Sequence, residues 1–168
     1  QRQLSLTPEY IFITHGHIDH AGAAKELATK LNLKIIGPHI DDSFLLESLE
    51  IQGQMYGMKA QNFTPDKWLN HDDSISFGNQ ILEIKHCPGH APGHVIGINH
   101  KAKKIIAGDV LFNGSIGRTD LPRGNYQDLI DSINHNLLTL DDTYIVHCGH
   151  GPDTSIGHER KTNPFLNA

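Results

Sequence analysis

Short apolar runs that break into glycine-containing, donor-rich loops recur along this chain. Tyr10-Ile-Phe-Ile13 reads as a buried strand. Ala21, Ala24, Leu27, Ala28 and Leu31 then recur at helical spacing, and Lys34 to Gly37 returns to strand. Asp42 to Leu49 predicts a helix whose acidic start suits the positive end of the helix dipole. Alternation marks Ile81 to Lys85 and Val95 to Asn99 as strands, and Asn99-His-Lys-Ala-Lys103 as a solvated hairpin turn into Lys104 to Ala107. Thr143-Tyr-Ile-Val146 is a further short strand. Tyr126, Leu129, Ile130, Ile133 and Leu137 form a helical stripe, with Asn125 placed as its N-cap. Strands and helices alternate, with no repeat or linker, so the pattern is that of one α/β unit over residues 1–168.

The loops carry the chemistry. Thr14-His-Gly-His-Ile-Asp-His20 follows the first strand, and three imidazoles and a carboxylate in six positions cannot all face one point from a helix. On an extended loop alternate side chains share a side, so His15 and His17 can grip one cation while Asp19 and His20 turn towards a second. Nitrogen donors with a carboxylate suit zinc, iron or manganese rather than calcium or magnesium. Later loops supply more donors: His90 between two Pro-Gly turns, Asp109 after Ala107-Gly, and His150 in His147-Cys-Gly-His150. A short strand running into a glycine and then a donor is the shared grammar. Four such loops converging at strand ends make a site.

The ordered set HxHxDH, PGH, GD and GHG resembles the metallo-β-lactamase superfamily from about Tyr10 to Phe165. The resemblance implies a four-layer α/β/β/α sandwich with two divalent metal ions, zinc first and iron or manganese as alternatives, between its sheets. It implies one ion on His15, His17 and His90, a second on Asp19, His20 and His150, Asp109 bridging them, and a hydroxide between. Members of the superfamily begin with a β-rich stretch ahead of the first ligand loop, whereas only Gln1 to Glu9 precede the first strand here. The expectation is therefore a chain lacking the N-terminal strands of the family.

Composition narrows the class further. With 38% apolar residues in 168 the chain can bury one core, and its formal charge of −5 offers no broad attraction to nucleic acid. No apolar stretch reaches membrane-spanning length and no signal peptide opens the sequence, so a cytoplasmic protein is expected. Cys87 and Cys148 are expected to be reduced packing residues. Of thirteen histidines, the eight outside the ligand set show no spacing for a further metal site. Among them His94 either orients a ligand or packs beside its loop.

Within the superfamily, Gly108 to Arg123 and the ending Lys161-Thr-Asn-Pro-Phe-Leu166 are similar to the glyoxalase II group in its short bacterial form. That implies hydrolysis of S-(2-hydroxyacyl)glutathione, a small-molecule glutathione thioester, with Asp19 and Asp109 as the catalytic carboxylates. Arg118 is then a candidate for binding a glutathione carboxylate, its alternative being a surface ion pair with Asp120. Two rival readings stand beside this one. A related glutathione persulfide dioxygenase uses a single iron, and a non-enzymatic member would bind metal without turnover. A β-lactamase is disfavoured, because those with two zincs typically carry cysteine where this chain has Asp109.

Overall fold

The computed structural model describes residues 6–167. Strands β1 (Tyr10–Phe12) and β2 (Lys34–Ile36) pair in parallel. Between them run two short helices, α1 (Ile18–Ala21) and α2 (Ala24–Leu31). A 3-10 turn (Ile40–Asp42), α3 (Ser43–Leu46) and α4 (Leu49–Tyr56) follow. The large sheet is built from β3 (Ser74–Phe77), β4 (Gln80–His86), β5 (Val95–Asn99), β6 (Lys104–Gly108), β9 (Ile145–Cys148) and β10 (Thr154–Ser155). Its order is β10-β9-β6-β5-β4-β3, with β6 and β9 the parallel pair. A small hairpin, β7 (Leu111–Phe112) with β8 (Ser115–Ile116), and helices α5 (Tyr126–Asn136) and α6 (Ile156–Thr162) complete the chain.

Three buried clusters stack these elements into four layers. Ile18, Ala21, Ala24, Ala28, Leu46 and Leu49 from the first helices pack on Ile13 and Ile35. Ile36, with Tyr10 and Phe12, meets Ile75, Leu82, Ile84 and Val95 between the two sheets. Leu129, Ile133, Leu137 and Ile156 cover Ile96, Ile98, Ile105, Ala107 and Val146 on the outer face. The fold is thus the α/β/β/α sandwich that the motif order implied. Strand β5 lies between the second and third clusters, which is why all five of its residues are buried although strand side chains alternate.

Several local expectations are corrected. The helical stripe from Ala21 is broken after α1, and Leu27 and Leu31 stay 44% and 45% exposed while Ala24 and Ala28 face the sheet. Small alanines let α2 lie close to β1 and β2, so the leucines fall to its rim. The helix expected over Asp42 to Leu49 is divided between α3 and α4, and the strand expected at Thr143 is displaced to Ile145–Cys148 behind a turn in which Tyr144 N–H donates to the Asp141 carbonyl. Helix α6 and strands β3, β7, β8 and β10 were not read from the pattern, being too short to show a period. Asn125 does cap α5, its side chain accepting the Asp128 N–H at 3.1 Å. Of residues 1–9, ahead of β1, residues 6–9 carry no regular structure and residues 1–5 lie outside the described part.

Candidate metal centre

The four donor loops meet at one edge of the two sheets. His15 and His17 lie on the irregular stretch leaving β1, His17 in extended backbone, whereas Asp19 and His20 sit in the single turn of α1. His17 is the residue before that turn, with φ −68° and ψ 149°, so the chain changes from strand-like to helical between the two pairs of donors. That break lets six consecutive positions serve two centres.

His15, His17 and His90 form the first group of convergent donor atoms. The Nδ1 of His15 meets the Thr14 hydroxyl at 3.1 Å, and its buried Nε2 has no hydrogen-bond partner. His90 donates from Nδ1 to the Arg118 carbonyl at 2.8 Å, which leaves its Nε2 with a lone pair, 2.9 Å from Nδ1 of His17. Asp19, His20 and His150 form the second group. Nε2 of His150 lies 3.1 Å from Oδ2 of Asp19 and 3.2 Å from Nε2 of His20. Asp109 stands between the groups: Oδ1 is 3.3 Å from His20, and Oδ2 is 3.6 Å from His90 and 3.5 Å from His150.

The donor set fits a pair of divalent cations. Buried polar atoms are almost always partnered, yet His15 Nε2 and Asp109 Oδ1 are buried here without a hydrogen bond. A cation at each group satisfies both, and five imidazoles with two carboxylates are the ligand types of zinc, iron or manganese. Electrostatics prepares the first group for this role. Burial, with neighbouring imidazoles, holds His15 and His94 well below the usual histidine range, and burial followed by His90 holds His17 at about 4. Burial likewise lowers His90. Burial also pulls His20 down, but the Asp109 carboxylate outweighs it and the net shift is upward. Asp109 is in turn raised by burial but held below its ordinary value by His20, His90 and His150.

Asp109 is aimed by its own backbone. Gly108 has φ +49°, and a Cβ there would lie 2.7 Å from both His94 Nε2 and Thr14 Oγ1. Glycine thus admits His94, whose Nε2 accepts the Asp109 N–H at 3.0 Å. Above the centre opens a cavity of about 920 Å³, walled by Phe44, Met55, Tyr56, Phe112 and Leu121. Arg118 also lines it, but its guanidinium makes two hydrogen bonds, 2.7 and 2.6 Å, to the exposed Asp120. The ion pair weighed for Arg118 is therefore formed, and the Arg118 carbonyl acquires a role that sequence did not suggest, orienting His90.

Other groups were missed or fall elsewhere. Asp42, read as the start of a helix, is fully buried against both histidine loops. His39, Asp41 and His86 form a further cluster on the other side of that turn, which sequence spacing did not reveal. The His39 and His86 rings stack in near-parallel planes with centroids 4.1 Å apart, and His86 Nε2 is engaged with the Pro92 carbonyl at 2.7 Å. Cys87 and Cys148 are both free, and burial pushes their thiols up to about 12 and about 11, which removes them as nucleophiles.

A family model described as the metallo-beta-lactamase superfamily matches residues 1–150. The hydroxyacylglutathione hydrolase GloC of Haemophilus influenzae is 46% identical over 168 residues, covering 99% of this chain and 79% of that protein. A crystal structure of TTHA1623 in a di-iron-bound form is 36% identical with a TM-score of 0.88, over 98% of this chain and 81% of the other. The crystal structure of BLEG-1 B3 metallo-beta-lactamase is also 36% identical, with a TM-score of 0.87 over 97% and 79% of the two chains.

Proposed function

We propose that this chain, which belongs to the metallo-beta-lactamase superfamily and is one of its metal-dependent hydrolases, cleaves S-(2-hydroxyacyl)glutathione into glutathione and the 2-hydroxy acid. One observation supports the reading above the others: Asp109 lies within 3.6 Å of imidazoles from both donor groups, on the floor of a cavity large enough for a thioester. The choice of thioester follows from the similarity to the GloC protein, which extends over nearly the whole chain.

His15, His17 and His90 would hold one divalent ion, Asp19, His20 and His150 the other, and Asp109 both. Zinc is proposed, with iron or manganese acceptable to the same donors. When bound, such a pair supplies a water of lowered pKa and an electrophile for the carbonyl oxygen. The protein's part is to keep the imidazoles neutral, which burial does for His15, His17 and His90. Asp109 fixes the spacing of the two groups. Asp19, with its side chain half exposed, is the carboxylate of the centre that can pass a proton to solvent. The cavity walls facing the acyl group are mainly apolar. A thiolate leaves without help from a general acid. Arg118 would exchange Asp120 for a carboxylate of glutathione, two parallel hydrogen bonds being available to either.

The similarity to a structure named as a B3 metallo-beta-lactamase makes β-lactam hydrolysis the second reading, despite Asp109 standing where many two-zinc enzymes carry cysteine. Purified protein assayed for metal content, S-lactoylglutathione hydrolysis, cephalosporin hydrolysis and oxygen uptake separates the possibilities. Two ions with thioester turnover are expected. Oxygen uptake with one iron, or cephalosporin turnover alone, would overturn the proposal.

A further inference from the structure

Asp42 belongs to neither donor group, yet it is fully buried and both of its carboxylate oxygens are used. Oδ2 accepts the Gly16 N–H at 2.8 Å, and Oδ1 accepts the Gly93 N–H at 2.6 Å. Gly16 lies between His15 and His17, and Gly93 precedes His94 in the loop that carries His90. One side chain therefore bridges the two loops that supply the first three imidazoles. The neighbouring turn adds a third tie, because the His39 N–H donates to the Gly93 carbonyl at 3.0 Å. The fit is close: a Cβ on Gly93 would lie 2.7 Å from both Asp42 Cγ and the His39 carbonyl oxygen. Neither of these Asp42 bonds is made to α1, which carries Asp19 and His20, or to the loop of His150.

A buried carboxylate is costly, and an apolar residue of similar size would stabilise a core at least as well. What an apolar residue cannot do is hold two backbone N–H groups from separate loops at a fixed separation. We infer that Asp42 is a positioning residue for one half of the centre. By gripping Gly16 and Gly93 it sets His15 and His17 against His90, and so sets the affinity of that group for its divalent ion. The group of Asp19, His20 and His150 receives no hydrogen bond from it and is held instead by the turn of α1 and the loop after β9. This rests on the metal-centre reading above and goes beyond it by assigning a selective control to a residue outside the ligand set.

The test is a zinc titration of metal-depleted protein by chelator competition, with imidazole NMR signals assigning each binding step to its histidines. Asp42→Asn keeps the shape but turns an amide NH2 towards one backbone N–H. Zinc at His15, His17 and His90 should weaken about 10–100-fold, the usual cost of losing a partner that orients ligands. Zinc at His20 and His150 should be unchanged. Gly93→Ala, which drives a methyl group into Asp42, should reproduce the same selectivity. Equal weakening of both steps alongside a lower Tm would reduce Asp42 to a structural residue, and no weakening would remove its role altogether. Should neither variant fold, amide exchange of the zinc-loaded wild type decides: Gly16 and Gly93 must exchange as slowly as the amides of β5, and fast exchange at either overturns the inference. A wild type that binds no zinc sinks the metal-centre reading itself, a result distinct from all of these.

Discussion

His94 accepts the backbone N–H of Asp109 at 3.0 Å while its ring lies nearly parallel to that of His15, with centroids 4.6 Å apart. One buried imidazole thus touches a donor of the first group and the backbone of the residue that stands between both. The two roles considered for His94, orienting and packing, are held together. His94→Ala leaves the Asp109 N–H buried and unpaired, at a cost of about 1–3 kcal/mol. The urea midpoint should fall accordingly and metal content with it. His94→Gln, which keeps an acceptor oxygen, should recover part of both; a variant with the wild-type midpoint and full metal would leave packing as its only role.

Asp109→Ala is expected to abolish thioester hydrolysis and lower metal content, because its two oxygens are the atoms within reach of His20, His90 and His150 together. Normal turnover with two ions bound would rule out a bridging role.

Arg118→Ala should raise KM for a glutathione thioester several-fold, to about tenfold, and change kcat less, since a contact remote from the reacting bond contributes mostly uniform binding. The carbonyl that orients His90 is backbone and survives the substitution. An unchanged KM would leave Arg118 with the Asp120 ion pair alone.

Acidification should empty the two groups in order. His17 is held at about 4 by burial and His90, against an ordinary 6.5, and burial lowers His15 and His90 as well. Between about pH 4 and 6.5 the unfolded chain therefore binds more protons at His17 than the fold does. The stability His17 contributes is present above 6.5 and is lost as pH falls through that window. His20 has the opposite sign, because Asp109 raises it in the fold: its contribution is full below 6.5 and fades as pH rises through its folded value. Protons thus compete earlier for His20 than for His17, and the ion at Asp19, His20 and His150 should leave first. Metal content measured against pH, with the histidine NMR signals assigning each loss, checks this; simultaneous release would contradict it.

Asn125→Ala removes the cap of α5 and should cost about 1 kcal/mol. The Asn125 N–H that donates to the Gly89 carbonyl beside His90 at 2.8 Å is backbone and survives the substitution, so metal binding should be unchanged. Denaturant unfolding with and without zinc should show equal losses; a larger loss with zinc bound would show that the cap also supports the donor loop of His90.

Much of this protein is decided locally. Where β6 runs into Gly108 and Asp109, and β9 into Gly149 and His150, the donor's place just beyond a strand end is carried by neighbouring residues. The same holds for Asn125, whose side chain reaches only three residues ahead. The short elements were less legible, because two to four residues cannot display a hydrophobic period, and α4, which walls the cavity, has Gly53 within it and no marked apolar face.

What the sequence by itself determined is the inventory of donors and the strand ends that carry them, since bonding preference and backbone alternation are properties of adjacent residues. Closure of the chain decided the rest: that Asp42 lies between Gly16 and Gly93, that the Arg118 carbonyl rather than its guanidinium meets His90, and that His39 stacks on His86. Those contacts join residues 26 to 51 positions apart. A buried N–H or carboxylate takes whichever partner the packed layers bring to it, and no spacing along the chain encodes that choice.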